Sequence, residues 1–340
     1  MVWLRRSAFF GALAFLVLTF VNASWMDNPP GGHLLLIANG GISQQYAPGA
    51  RRTACPASAI LPPIHAIFED TLRGVSTAER MGADLVAIDV QRTADDALVL
   101  FPDTDLACRT QGKGAVAALK QADLAALDVG FGYTADGGKT FPLRGKGLGL
   151  IPPLDDVIAA APKSKLLFRF PADDARTVDL LAADLKRLGR DPVAMGDAFT
   201  GAPAAVAAAR KAFPAAWSFT LADAQACTSA YRLSGWTGML PGACAGGTML
   251  APVNAAFTLW GWPNRLQARM ATAKGKVLAT LDADGGGLRH SRDLPLIPTT
   301  YYGAVMVDDF WTVGPALRPS LDARTNEEAL AAQDRDEKAE

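Results

Sequence analysis

Residues 82–90 read Gly-Ala-Asp-Leu-Val-Ala-Ile-Asp-Val, in which 85–90 is a buried strand with a carboxylate, Asp89, one residue from its end. The run is continuously apolar rather than alternating, which marks a strand covered on both faces, as in a parallel sheet flanked by helices. Similar runs of 4–6 residues recur at 34–38, 98–101, 166–170, 215–219, 249–252, 277–281 and 304–307, with a weaker one at 193–196. Helix-like stretches lie between them at 66–81, 154–161, 175–188, 202–213, 222–233 and 265–274. Such alternation over most of 340 residues predicts an α/β chain of the TIM-type (β/α)8 class. A doubly wound open sheet is the alternative, but no GxGxxG follows the first strand and no Walker sequence is present. Residues 104–150 interrupt the alternation with a Gly-rich stretch, read as an ordered insertion after the third strand.

The 33 Lys and Arg balance 34 Asp and Glu, and this near-neutrality excludes a general nucleic-acid binder. Histidine occurs only at His33, His65 and His290, and no glutamate lies between Glu79 and Glu327. Chemistry that needs paired histidines or glutamate-held metal therefore has few residues to use. Cys55, Cys108, Cys227 and Cys244 form no CxxC motif, so zinc is not expected. Three disulfide pairings are open, and 55–108 with 227–244 would join neighbouring segments; four buried thiols are the alternative. Residues 1–28 begin with Arg5 and Arg6 and continue through the apolar run 8–21. This reads as a cleaved signal peptide or a retained anchor outside the fold, and it places the remainder extracytoplasmically, in the periplasm or secreted, with inner-membrane anchoring if uncleaved. Residues 29–320 form the expected barrel. The charged tail 321–340 reads as solvated, a frayed helix or disorder.

Reactive groups of such barrels sit at the C-terminal ends of strands. Here those ends read Ile37-Ala38-Asn39-Gly40-Gly41, Ile88-Asp89-Val90, Phe101-Pro102-Asp103 and Phe168-Arg169-Phe170. Phe68-Glu69-Asp70-Thr71 precedes a helix, and Cys108-Arg109-Thr110-Gln111-Gly112-Lys113-Gly114 follows the third strand. Leu127-Asp128-Val129-Gly130 and Ile151-Pro152-Pro153-Leu154 come next. In this order, over about residues 33–315, the series resembles the glycerophosphodiester phosphodiesterase family. The stretches 131–150 and 259–265 are similar to its bacterial membrane-targeted subgroup.

The resemblance implies a phosphodiesterase-type TIM barrel acting on glycerophosphodiesters with bound Ca²⁺ or Mg²⁺. The departures fall on the reactive positions. Asn39 and Pro102 stand where the family has its acid/base histidines, and Gly40 where it has a phosphate-binding arginine. Ala87 replaces one metal-binding acid and Asp89 retains another, while the third falls near Arg169. Loss of one acid/base group costs on the order of 10²–10⁴ in rate. A lone carboxylate is a poor site for a hard cation.

The expectation is therefore a degenerate barrel with no resident cofactor that binds a glycerophosphodiester or phosphate headgroup without cleaving it. An active phosphodiesterase of altered chemistry and a purely structural barrel remain as alternatives. Arg169 is expected to take the cation's place beside Asp89. Arg109, Asp103 and Gly40 are the other phosphate-contact candidates, with Glu69, Trp260 and Trp262 as structural or rim residues.

Overall fold

The computed structural model describes residues 2–28 and 31–338. In chain order its strands are β1 Leu35–Asn39, β2 Leu85–Arg92, β3 Leu98–Leu100, β4 Lys165–Phe170, β5 Ala198–Gly201, β6 Trp217–Phe219, β7 Thr248–Pro252, β8 Lys276–Thr280 and β9 Ala304–Val307. Its helices are α1 Val2–Asn22, α2 Leu72–Arg80, α3 Gln121–Leu124, α4 Leu154–Ala160, α5 Ala175–Arg187 and α6 Pro192–Met195. They continue with α7 Pro203–Ala212, α8 Leu221–Ser234, α9 Asn264–Thr272, α10 Phe310–Leu317 and α11 Asn326–Lys338. This succession of parallel strands and covering helices is that of the TIM-type (β/α)8 class. The chain divides into two compact units.

The larger unit holds residues 36–220, 287–294 and 307–340. Its parallel sheet runs β6-β5-β4-β2-β1, with Asn39 paired to Ala87 and Asp89 to Arg169. Directly paired residues of parallel neighbours share a face, so this register alone brings Asp89 and Arg169 together. The alternate residues Phe168 and Phe170 stack on Phe199, which in turn stacks on Phe213.

Two expected strands are corrected. Residues 98–100 form an antiparallel hairpin with β2, because the short 93–97 turn is too brief for a parallel crossover. Residues 193–196 are not a strand. Asp191 accepts from the backbone N–H groups of Val193 and Ala194, Pro192 opens helix α6, and Gly196 at φ +78° ends it, leaving the strand to Ala198–Gly201. The helix expected from residue 66 starts at Leu72, since Asp70 holds φ +55° and Thr71 caps Gly74 N–H at 3.1 Å.

The insertion has its own apolar core, in which Leu106, Val116, Leu124, Leu127, Val129 and Leu143 pack with Tyr46, Phe68 and Phe101. Cys55–Cys108 ties it to the 50–60 loop. Of the two readings of the tail, disorder and a frayed helix, the structure has a helix, α11. Arg335 reaches Asp309 at 2.7 Å with both side chains buried, and Asp336 accepts from Ser291 and pairs with His290. The charges that read as solvating are spent on docking.

The smaller unit holds residues 1–35, 221–286 and 295–306, with the parallel sheet β7-β8-β9 and the Cys227–Cys244 disulfide. Here the N-terminal segment departs from its expected place outside the fold. Asn22 donates to Trp236 O at 2.9 Å, and Arg265 pairs with Asp27 at 3.0 Å.

Candidate functional site

The ends of β1, β2 and β4 converge within the larger unit. The Arg169 guanidinium lies flat against Asp89, its Nε on Oδ1 and its Nη2 on Oδ2, while Nη1 donates to Asn39 Oδ1. Asn39 Nδ2 then donates to Asp308 Oδ1 at 2.7 Å. The second Asp308 oxygen faces two more guanidinium groups, Arg51 at 3.6 Å and Arg289 at 3.7 Å. The side chains of Arg51, Arg169 and Arg289 are 30%, 28% and 23% exposed, against 2% for Asp89 and 4% for Asp308. The carboxylates are thus the buried floor and the guanidinium groups are the solvent-facing rim. Burial alone would lower the Arg169 pKa, but the charge of Asp89 holds it above the ordinary arginine value.

Asp70 completes the floor. Its Oδ1 accepts from Asp89 N–H at 2.8 Å, and its buried Oδ2 has no hydrogen-bond partner. Burial first, and the Asp89 charge second, push this carboxyl well above the usual range and favour its protonated form. A carboxyl that holds its proton more tightly when folded favours folding fully below its ordinary pKa of 3.8 and loses that contribution as pH rises. Asp70→Asn keeps the Oδ1 acceptor and removes the titration. Thermal and urea unfolding should show it more stable than the native chain at pH 8, by about 1.4 kcal/mol for each pKa unit by which the fold raises the carboxyl. The gain should fade towards pH 4. An equal gain at both pH values would assign the effect to packing instead.

A second constellation lies beside the first. Arg109, 4% exposed, donates through Nη1 to Glu69 Oε1 at 2.6 Å and to the hydroxyls of Tyr46 and Tyr133, and through Nε to Asp103 at 2.7 Å. Burial would raise the Glu69 pKa, but Arg109, Arg51 and the Tyr46 hydroxyl outweigh it and keep the carboxyl ionised. Gly132 N–H holds Arg109 O at 3.1 Å. A Cβ at Gly132 would stand 1.9 Å from Cys108 O, so only glycine passes there. Arg109, Asp103 and Glu69 are thus tied to one another beneath the surface.

The remaining residues singled out in the sequence are accounted for as follows. Ala87 is fully buried and offers no donor atom. Gly40 takes φ +76°, and a Cβ there would lie 2.7 Å from Glu69 Cβ, so no side chain fits without a shift. Pro102 and Asp103 line an open cleft of about 270 Å³ with Arg51, Thr53, Thr104 and Pro171. His65 stands on the loop before α2, held by Gln44 and packed at a tilt against Trp311. Burial, then Arg335, lowers its pKa to about 3, so it is neutral at physiological pH. His290 is engaged by Asp336. Trp262 packs on Tyr301, and Trp260 donates to Arg232 O; both lie in the smaller unit.

The sequence reading passed over Asp308, Arg51 and Arg289. Asp308 directly follows β9, so the strand-end rule that singled out Asn39 also reaches it. Arg51 and Arg289 stand on loops with no such signal. Nor do the residues fit a divalent cation. Both Asp89 oxygens accept from Arg169, burial disfavours the ionised form of Asp70, and among the described residues no three His, Cys, Asp or Glu side chains could hold a metal ion.

The curated protein Rv2277c of Mycobacterium tuberculosis is 32% identical over 100 residues, 29% of this chain and 33% of that protein, so the match spans about a third of the relative's length. The crystal structure of the glycerophosphoryl diester phosphodiesterase domain of Rv2277c superposes with a TM-score of 0.57 at 17% identity, covering 89% of this chain and 99% of that one. An Oleispira antarctica phosphodiesterase, solved in complex with the product sn-glycerol-3-phosphate, gives 0.52 at 18% identity over 88% of this chain and 96% of that one. The glycerophosphodiester phosphodiesterase of Agrobacterium tumefaciens gives 0.52 at 17% over 85% and 99%. These structures share the fold, in agreement with the barrel class read from the sequence. Residues 51–182 match the model of the Glycerophosphoryl diester phosphodiesterase family.

Proposed function

We propose that this chain is a non-hydrolysing member of its family that binds a phosphate headgroup of the glycerophosphate class at the Arg51–Arg169–Arg289 rim. The observation that carries the reading is the Arg169–Asp89 pair. It sets a fixed organic cation on the carboxylate that, by family resemblance, would hold a divalent ion. Phosphodiester cleavage requires a proton donor and acceptor and a cation on the developing charge. Asn39 moves no proton near neutral pH, Pro102 has no polar side-chain atom, and Arg169 is too basic to exchange one. Three partly exposed guanidinium groups over two buried carboxylates leave positive charge facing solvent, which suits a dianionic phosphate. The sn-glycerol-3-phosphate bound in the Oleispira antarctica structure supports this choice of ligand class. Two disulfides and the apolar helix α1 support an extracytoplasmic setting.

Isothermal calorimetry with sn-glycerol-3-phosphate should give saturable binding to the native chain, weakened at least tenfold in Arg51→Ala. A parallel assay with a glycerophosphodiester and Ca²⁺ or Mg²⁺ should give no release of glycerol phosphate above background. Metal-dependent turnover by the native chain would refute the reading, as would binding that Arg51→Ala leaves untouched. Failure of the native chain to bind would favour the structural role.

A further inference from the structure

Helix α1 has 21 residues, and none of the residues of its stretch Arg5–Asn22 is buried, only its last turn meeting the smaller unit. At 1.5 Å per residue it is about 31 Å long, the thickness of a bilayer's hydrocarbon core. Apolar on all sides, with Trp3, Phe9, Phe10 and Phe15 each more than 60% exposed, it has the character of a membrane span. Its far end is built into the smaller unit. Arg269 donates to Val21 O at 2.8 Å and to Asn22 Oδ1 at 3.1 Å, satisfying acceptors at the helix C-terminus. Asn264 N–H donates to Ser24 Oγ at 2.8 Å. Gly238, at φ +85°, has no side chain where Val21 approaches; a Cβ there would lie 2.8 Å from Val21 Cγ1. Cleavage after Ala23, the site suggested by the small residues 21–23, would remove the Val21 and Asn22 acceptors that Arg269 holds.

Around this end the smaller unit is unusually apolar for a surface. Trp25 is 76% exposed, Leu233 80%, Met239 70% and Trp236 45%. They belong to one place, since Gly235–Thr237 packs on α1 and Trp236 O accepts from Asn22. Tryptophans beside aliphatic side chains at the end of a spanning helix match the water–lipid boundary, where an indole buries its ring and keeps its N–H wet. A helix that spans the bilayer must bring the headgroup layer to its own end, and the patch is continuous with that end.

We propose that α1 stays attached in the mature protein and that the patch Trp25, Leu233, Trp236 and Met239 rests in the lipid interface of the bilayer α1 spans. This proposal is independent of the ligand-binding reading. The test uses the full chain in phosphatidylcholine–phosphatidylglycerol vesicles, with a nitroxide at Met239→Cys or Leu233→Cys and a control at Ala283→Cys. Ala283 O accepts from Gln225, near the opposite end of α8 from Leu233. All three positions are exposed and the native cysteines are paired, so labelling should be single and the fold retained. Paramagnetic relaxation should show positions 233 and 239 at least fivefold less accessible to a water-soluble nickel chelate than position 283. Equal accessibility at all three positions would overturn the docking surface. A mature chain whose mass begins at Ser24, recovered in the soluble fraction, would overturn the anchor.

Discussion

Arg169→Ala should lower the free energy of unfolding by about 3 kcal/mol, measured by urea denaturation at pH 7. Asp89 is nearly inaccessible, and both of its oxygens are bonded to the one guanidinium. Removing that partner leaves an ionised or freshly protonated carboxyl in an apolar enclosure. Breaking such pairs from one side costs about 3–5 kcal/mol, and the low end applies because Arg169 itself is 28% exposed. The loss should be largely recovered in the double variant Arg169→Met/Asp89→Asn, which leaves no charge behind. A single variant within about 0.5 kcal/mol of the native chain would instead place the pair among solvent-screened surface bridges, worth ~0–1 kcal/mol. It would also remove the reason for treating Arg169 as the fixed cation of the site.

The second large effect is a gain. Asn39→His, Ala87→Glu, Pro102→His and Arg169→Glu together should create divalent-ion binding and hydrolysis of a glycerophosphodiester, at least ~10² above the native chain. Arg169 must be among them, because its guanidinium occupies both Asp89 oxygens and would exclude any metal ion. Gly40→Arg, which the family pattern would also suggest, is omitted. With φ +76° and a Cβ position 2.7 Å from Glu69 Cβ, the backbone here has adapted to glycine. Calorimetric titration with Ca²⁺ checks ion binding and a glycerol phosphate release assay checks turnover. A folded quadruple variant with neither property would mean that the lost residues do not account for the silence of the site. Native turnover equal to that of the variant would mean there is no silence to explain.

The elements were legible where periodicity had one reading. Helices α5, α7 and α8 fall within two residues of the expected stretches, and β2, β4 and β9 within two. The errors share a cause. The 98–100 strand is apolar like its neighbours, and only the shortness of the preceding turn tells that it runs antiparallel. Residues 193–196 are apolar too, but the Asp191 cap and Pro192 override a run of four residues that fits a strand or one helical turn. In the tail, composition was a poor guide because Arg335 and Asp336 find buried or half-buried partners far along the chain.

What the sequence by itself determined is the fold class, and which residues stand at the strand ends. Both are local properties, carried by patterns a few residues long. What only the tertiary structure decided is the use made of the residues that remain. Arg169 meets Asp89 because two strands pair in one register. Asn39 bridges to Asp308 across 269 residues of chain, and Arg109 sinks among Glu69, Asp103 and two tyrosines. Charge pairing inside a protein depends on burial and direction, and neither is written in the spacing of the residues that take part.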